Sequence, residues 1–215
     1  ATYRELYQKF TDTKEEYGEI ASSVSLQFEN IAKRFEDFER AMENNDYTEV
    51  TQIIKAIDEM LKHMSVVIEE VPGIVLMADS ILPKRMKEIT DTYQAMTKAG
   101  YPLDYLNVEY NVDEANKKIS DILDRAKVLN LEDSLFELKV LLDYFDSLFA
   151  DFEKEKVNRG IYEEANAALK NRLEKMNSLI ADIFAQIDDI KKVYNLSNDD
   201  LSLLSEVREE LKSLN

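Results

Sequence analysis

The single histidine of the chain, His63, lies four residues after Glu59. On a helix the two side chains share a face, so they could offer an imidazole and a carboxylate to one metal ion. A di-metal site in a helical bundle takes two Glu-x-x-His pairs and two further Glu. Here the spacing is Glu-x-x-x-His and it occurs once, so His63 is expected on the rim or facing solvent. A Ser–His–Asp triad would have only this mid-helix His63 to draw on. With 44 Asp and Glu, paired carboxylates arise everywhere, and their spacing carries no information about acid–base work. Four isolated glycines form no phosphate loop, and without cysteine there is no thiolate metal site and no disulfide. The residues therefore predict no enzyme, no cofactor and no bound metal.

Two clusters remain as candidate binding or hinge surfaces. Lys84-Arg85 with Lys87 is the densest basic group and follows Pro83 directly. It could dock an acidic partner or lie near a membrane; the plainer reading is a solvated helix start balanced by nearby acids. The stretch Lys154–Gly160 is charged and poor in apolar seam residues. Within it Lys156, Arg159 and Gly160 could form a flexible joint or a partner site, or an ordinary linker between bundles.

Composition limits what can position these residues. The net charge of −17 argues against nucleic-acid binding, which needs a basic footprint. No apolar run reaches a membrane span's length of about 18 residues. The amino end shows no basic-then-apolar leader. The absence of cysteine fits a reducing compartment. Only four Gly and three Pro in 215 residues are too few turn formers for a sandwich or a doubly wound sheet. A hydrophobic content of 45% is too high for simple disorder. Long helices remain.

Their seams are explicit. Val24, Phe28, Ile31, Phe35, Phe38 and Met42 alternate steps of four and three, the pattern of a buried helical face. Tyr3, Phe10 and Tyr17 extend one column upstream, which predicts one helix over about residues 2–44. Asp46 is the expected N-cap of the next helix, with Glu49 completing a capping box. That helix carries Val50, Ile53, Ile57, Met60, Met64, Val67 and Val71, plus a third column, Ile54, Leu61 and Ile68. A third column means a wider buried face and two helical neighbours, hence a bundle of three. One bent helical path is expected from Tyr47 to Ala99 across Pro72 and Pro83, closed at Gly100. Asn111 and Glu114 resemble a capping box for a helix to Leu129. A last long helix, about 60 residues, runs to Tyr194 with a register slip near its middle. Ser197 and Asp200 resemble the cap of a final helix whose seam is still running at Asn215.

A shift of 85 residues lays the seam Val50–Val67 onto Leu135–Phe152. The predicted fold class is all-α: an elongated rod of antiparallel three-helix, spectrin-like bundles linked by long shared helices. The predicted division is a partial repeat over 1–71, a complete repeat over 72–156 and a partial repeat over 157–215. A start at Ala1 and a seam cut at Asn215 suggest a piece excised from a longer protein.

Several segments resemble the EzrA family of septation-ring regulators. They are Pro72, Pro83, Tyr93, Met96 and Gly100-Tyr101-Pro102-Leu103; then Phe145-Asp146-Ser147-Leu148-Phe149-Ala150-Asp151-Phe152-Glu153-Lys154-Glu155; then Tyr194-Asn195-Leu196. In the middle segment Phe149 and Ala150 stand where the family has Tyr and Asp, which keeps the seam and changes the signature. The resemblance implies a cytoplasmic rod held at the membrane by one amino-terminal anchor absent from these residues. It implies interaction with the tubulin-like protein FtsZ and other division proteins, restraining assembly of the FtsZ ring; a homodimer is compatible with it. No site residue of the family carries over. The alternatives are a generic coiled-coil or spectrin-like spacer and a helical-bundle enzyme or metalloprotein.

Overall fold

The computed structural model describes residues 2–214, and among them every regular element is helical. The elements are α1 (Thr2–Asp12), a 3-10 segment (Lys14–Ile20), α2 (Ala21–Glu43), α3 (Tyr47–Leu76), a π-helical turn (Met77–Ile81) and α4 (Leu82–Lys98). A 3-10 turn (Asp104–Leu106), α5 (Val108–Lys127), α6 (Ser134–Ala185), α7 (Ile187–Val193) and α8 (Asn198–Ser213) follow. The chain divides into two compact units, Ala1–Phe152 and Glu153–Asn215. The all-α expectation holds.

In the first unit α1, α2 and α3 pack together, and so do α4, α5 and residues 134–152 of α6. One apolar core connects both sets, from Phe10 through Phe28, Met64, Ile74 and Ile89 to Phe145 and Phe152. A smaller core of Ala41, Val50, Ile53 and Ile57 lies between α2 and α3 near their connection.

The expected helix over 2–44 is broken. Gly18 adopts φ 50 and ψ −132, backbone that a side chain disfavours, and the chain folds back there. As a result α1 runs antiparallel to α2. Phe10 packs on Tyr17 and Phe28, whereas Tyr3, earlier in the chain, reaches Phe28 and Phe35. The heptad column survives because the same apolar residues are buried either way. The column alone does not report the reversal.

The path from Tyr47 to Ala99 is helical throughout, as the sequence predicts, and the prolines are accommodated in two different ways. Pro72 sits inside α3 without an N–H for the carbonyl four residues earlier, that of Ile68. The fully buried Tyr17 supplies the missing donor: its hydroxyl donates to the Ile68 carbonyl at 3.1 Å. Burial, first among the causes, pushes the Tyr17 hydroxyl above its ordinary pKa, so it keeps its proton. Upstream of Pro83 the chain widens into the π-helical turn, where the Leu82 N–H reaches back to the Met77 carbonyl. Gly18 lies against this region: a Cβ there would come within 3.4 Å of Val75.

The helix ends carry part of the expected chemistry. Asp46 caps α3 by accepting from the Glu49 N–H at 3.0 Å, but its own N–H donates to the Ala41 carbonyl, so the expected box with Glu49 is only half formed. Ser197 and Asp200 form a reciprocal capping box on α8. α4 closes with the Tyr101 N–H on the Met96 carbonyl and the Gly100 N–H on that of Thr97, with Gly100 at φ 83. The Asn111–Glu114 box does not form. α5 begins earlier, at Val108, because Asn107 takes a left-handed conformation after the 3-10 turn, and the Asn111 amide donates to the Leu106 carbonyl instead.

The second unit comprises the rest of α6, then α7 and α8. Leu211 is buried, and the Arg208 guanidinium lies 4.7 Å over the Phe184 ring. The expected 60-residue helix is interrupted at Gln186 (φ −103, ψ 6), whose N–H is shared between the Asp182 and Ile183 carbonyls. The seam passes unbroken from Ile183 to Ile187, so periodicity does not reveal the interruption.

The proline–tyrosine pairing is testable. Tyr17→Phe leaves a buried carbonyl without a donor and should cost about 1–3 kcal/mol. In a Pro72→Ala background the restored N–H fills that role, so the cost of Tyr17→Phe should fall by at least about 0.5 kcal/mol. Urea melts of the four proteins in this double-mutant cycle measure the difference.

Candidate functional site

The basic cluster on α4 is split by its surroundings. Arg85 is half-buried and turned inward: its Nε pairs with Asp146 Oδ1 of α6 at 3.0 Å, and Nη1 with Glu88 Oε2 at 3.2 Å. The same guanidinium lies 5.2 Å from the centroid of the Phe149 ring. Arg85 therefore clamps α4 to α6. Lys84 and Lys87 are exposed and make no ion pair among the described residues. Ser80, Ile81, Lys84, Arg85 and Glu88 line a shallow surface hollow of about 350 Å³.

The other candidates belong to the second unit. Lys156 pairs with Glu153 at 2.6 Å and Arg159 with Glu163 at 2.8 Å, both one helical turn away. Gly160 sits inside α6 with open space around its missing side chain. α6 runs unbroken through this stretch, because a lone glycine weakens a helix by only about 1 kcal/mol. Lys154–Gly160 is thus continuous helix.

His63 is exposed, and its Nε2 donates to the Leu129 carbonyl at 3.1 Å. Leu129 closes α5 at φ 58, a conformation unusual for a side-chain-bearing residue. The contact ties α3 to the α5–α6 turn. No group of three or more His, Cys, Asp or Glu able to hold a metal occurs among the described residues.

Sequence reasoning missed the strongest polar junction. Arg125, in the last turn of α5, donates to Glu137 in the first turn of α6 at 2.8 Å. It also donates to Asp121 at 3.1 Å and to the Glu132 carbonyl at 3.0 Å, and Lys118 reaches Glu137 at 3.3 Å. The Arg125 hydrogen bond, the largest cause, works with Lys118 and against burial to hold the Glu137 carboxyl below the usual carboxylate range. The Arg125 pKa is raised in turn, chiefly by the same bond. A cation at one helix end facing an anion at the next helix start is the signal that could have revealed it. Both shifts hold the groups charged, the opposite of tuning for proton transfer.

These features define a class: an all-α bundle in which a few polar side chains, Arg85, Arg125 and His63 among them, join one helix to another, and in which Lys84 and Lys87 lie exposed on α4. The chain matches the family model described as "Septation ring formation regulator, EzrA" over residues 1–215, and it belongs to that family of cell-division regulators. Curated relatives named Septation ring formation regulator EzrA agree. The one from Geobacillus kaustophilus is 22% identical over 214 residues, covering 100% of this chain and 38% of the relative. Those from Listeria welshimeri and Streptococcus gordonii are 21% and 20% identical, covering 92% and 99% of this chain and 36% and 37% of the relatives. The chain thus spans little more than a third of their length. No solved structure matches. No helix among the described residues is long and apolar enough to cross a membrane.

Two measurements check the site geometry. Glu137 has a lowered folded-state pKa, so its stabilisation is present above the unfolded value of about 4.3 and is lost as pH falls through the folded one. Glu137→Gln should therefore lower stability at pH 7 and flatten the acid limb of a stability–pH curve followed by urea melts. Arg85→Ala should cost about 1 kcal/mol or more through Asp146 and Phe149, while Lys84→Ala and Lys87→Ala stay within about 0.5 kcal/mol in the same melts.

Proposed function

We propose that the protein is a non-enzymatic regulator of septation that binds FtsZ and restrains assembly of its ring. Membership of a septation-regulator family over residues 1–215 carries this reading. The mechanism is stoichiometric: binding to the subunit or filament shifts the assembly equilibrium by the difference in affinity between the two, without turnover. The locus is the cytoplasmic face of the membrane, through an anchor elsewhere in the parent protein. The division into a partial repeat (1–71), a complete one (72–156) and a partial one (157–215) is part of the proposal. The mutual packing of α4, α5 and the first part of α6 supports it.

Lys84 and Lys87 are the contact residues we assign on this surface. They are free cations on a chain of net charge −17, so an acidic partner segment would be drawn to them. Lys156 and Arg159 are assigned second, since each already has an acidic partner.

FtsZ polymerisation, followed by light scattering and pelleting, tests the proposal with the full-length parent. Polymer yield should fall in proportion to added protein and saturate near equimolar ratio. Lys84→Glu with Lys87→Glu should weaken the effect several-fold and reduce its salt dependence. A full-length protein that neither pellets with FtsZ nor changes its assembly would end this reading.

A further inference from the structure

Two matched apolar columns of the first unit go from buried to exposed in the same direction. On α2 the column is Phe28, Phe35 and Met42, exposed by 1%, 37% and 43%. On α3 it is Ile68, Leu61 and Ile54: Ile68 is 2% exposed, Leu61 half-buried and Ile54 50% exposed. α2 and α3 remain paired over this whole length through Ala41, Val50, Ile53 and Ile57. The columns that lose cover are therefore those facing a third helix.

At the covered end that third helix is α1, which packs on both α2 and α3. Its direction is fixed by its aromatic contacts. Going backwards along the chain, Phe10 and Tyr7 lie on Phe28, and Tyr3 lies 5.7 Å from both Phe28 and Phe35. The upstream line of α1 thus leads onto Phe35, then Met42 and Ile54. From Phe35 to Met42 is seven residues, about 10 Å of helix, so two to three further turns would cover the face. The curated relatives contain chain beyond the matched part, since the match covers 38% of the Geobacillus one.

We propose that the occupant of this face is the segment of the parent protein directly upstream of residue 1, continuing α1 as an amphipathic helix and completing a three-helix set with the α2–α3 hairpin. Its apolar residues fall seven and fourteen positions before Tyr3, continuing the Tyr3–Phe10 column in the same heptad phase. A second copy of the chain is the competing occupant, and the experiment separates the two.

The 215-residue chain is compared with the same chain extended by the parent gene's preceding 20 or so codons. In the extended chain, amide exchange across 36–43 and 47–57 should slow by about tenfold or more. Ile54→Asp should lower Tm by less than about 1 °C in the 215-residue chain and by more than about 3 °C in the extended one. Ile57→Ala, in the α2–α3 core, should lower Tm in both and serves as the control. Should the extended chain fold poorly, a peptide of the same upstream residues added in trans should slow the same amides. Unchanged exchange with equal tolerance of Ile54→Asp in both chains overturns the proposal. So does concentration-dependent self-association that Ile54→Asp abolishes and the upstream segment leaves intact.

Discussion

Pro72 removes one hydrogen bond near the carboxy-terminal end of α3, and Tyr17 returns it. Much of the first unit depends on that exchange. A buried carbonyl without a donor costs roughly 1–3 kcal/mol, so the hydroxyl stabilises the passage of α3 through Pro72 by about that much. The hydroxyl arrives only because the chain turns back at Gly18, one residue after Tyr17. That turn fits because α3 and the π-helical turn leave room beside Val75. The reversal at Gly18 also lays α1 along α2. Pro72 acts as one device with the adjacent Tyr17 and Gly18, 55 and 54 residues before it in sequence.

Three further polar contacts do related work at other junctions. Arg85 joins α4 to α6, Arg125 joins α5 to α6, and His63 holds the turn between them. Each lies where two helices meet rather than in a cleft.

Much of the framework was legible in the sequence. The seams on α3 and α6, the Asp46 and Ser197 caps, and the Gly100 stop follow from local periodicity and capping chemistry, which depend on residues at most a few positions apart. The third column, Ile54–Leu61–Ile68, correctly announced a third helix, but not that α1 covers only part of it. The candidate cations were legible as a cluster, yet not their division: Arg85 turns inward because Phe149 and Asp146 happen to face it from α6, 60 or more residues away. Gly160 looked like a joint because glycine is a weak helix former, and the flanking helix overrides it.

By itself the sequence determined the helical class, the heptad faces and most helix ends, because those are set by hydrophobic period and by short-range hydrogen bonds. Only the tertiary structure decided that Gly18 reverses the chain, that Tyr17 repairs the proline defect, and that Arg125 locks onto Glu137. Each of those rests on a partner brought close by folding, and a heptad column is the same whether its helix runs on or folds back upon itself.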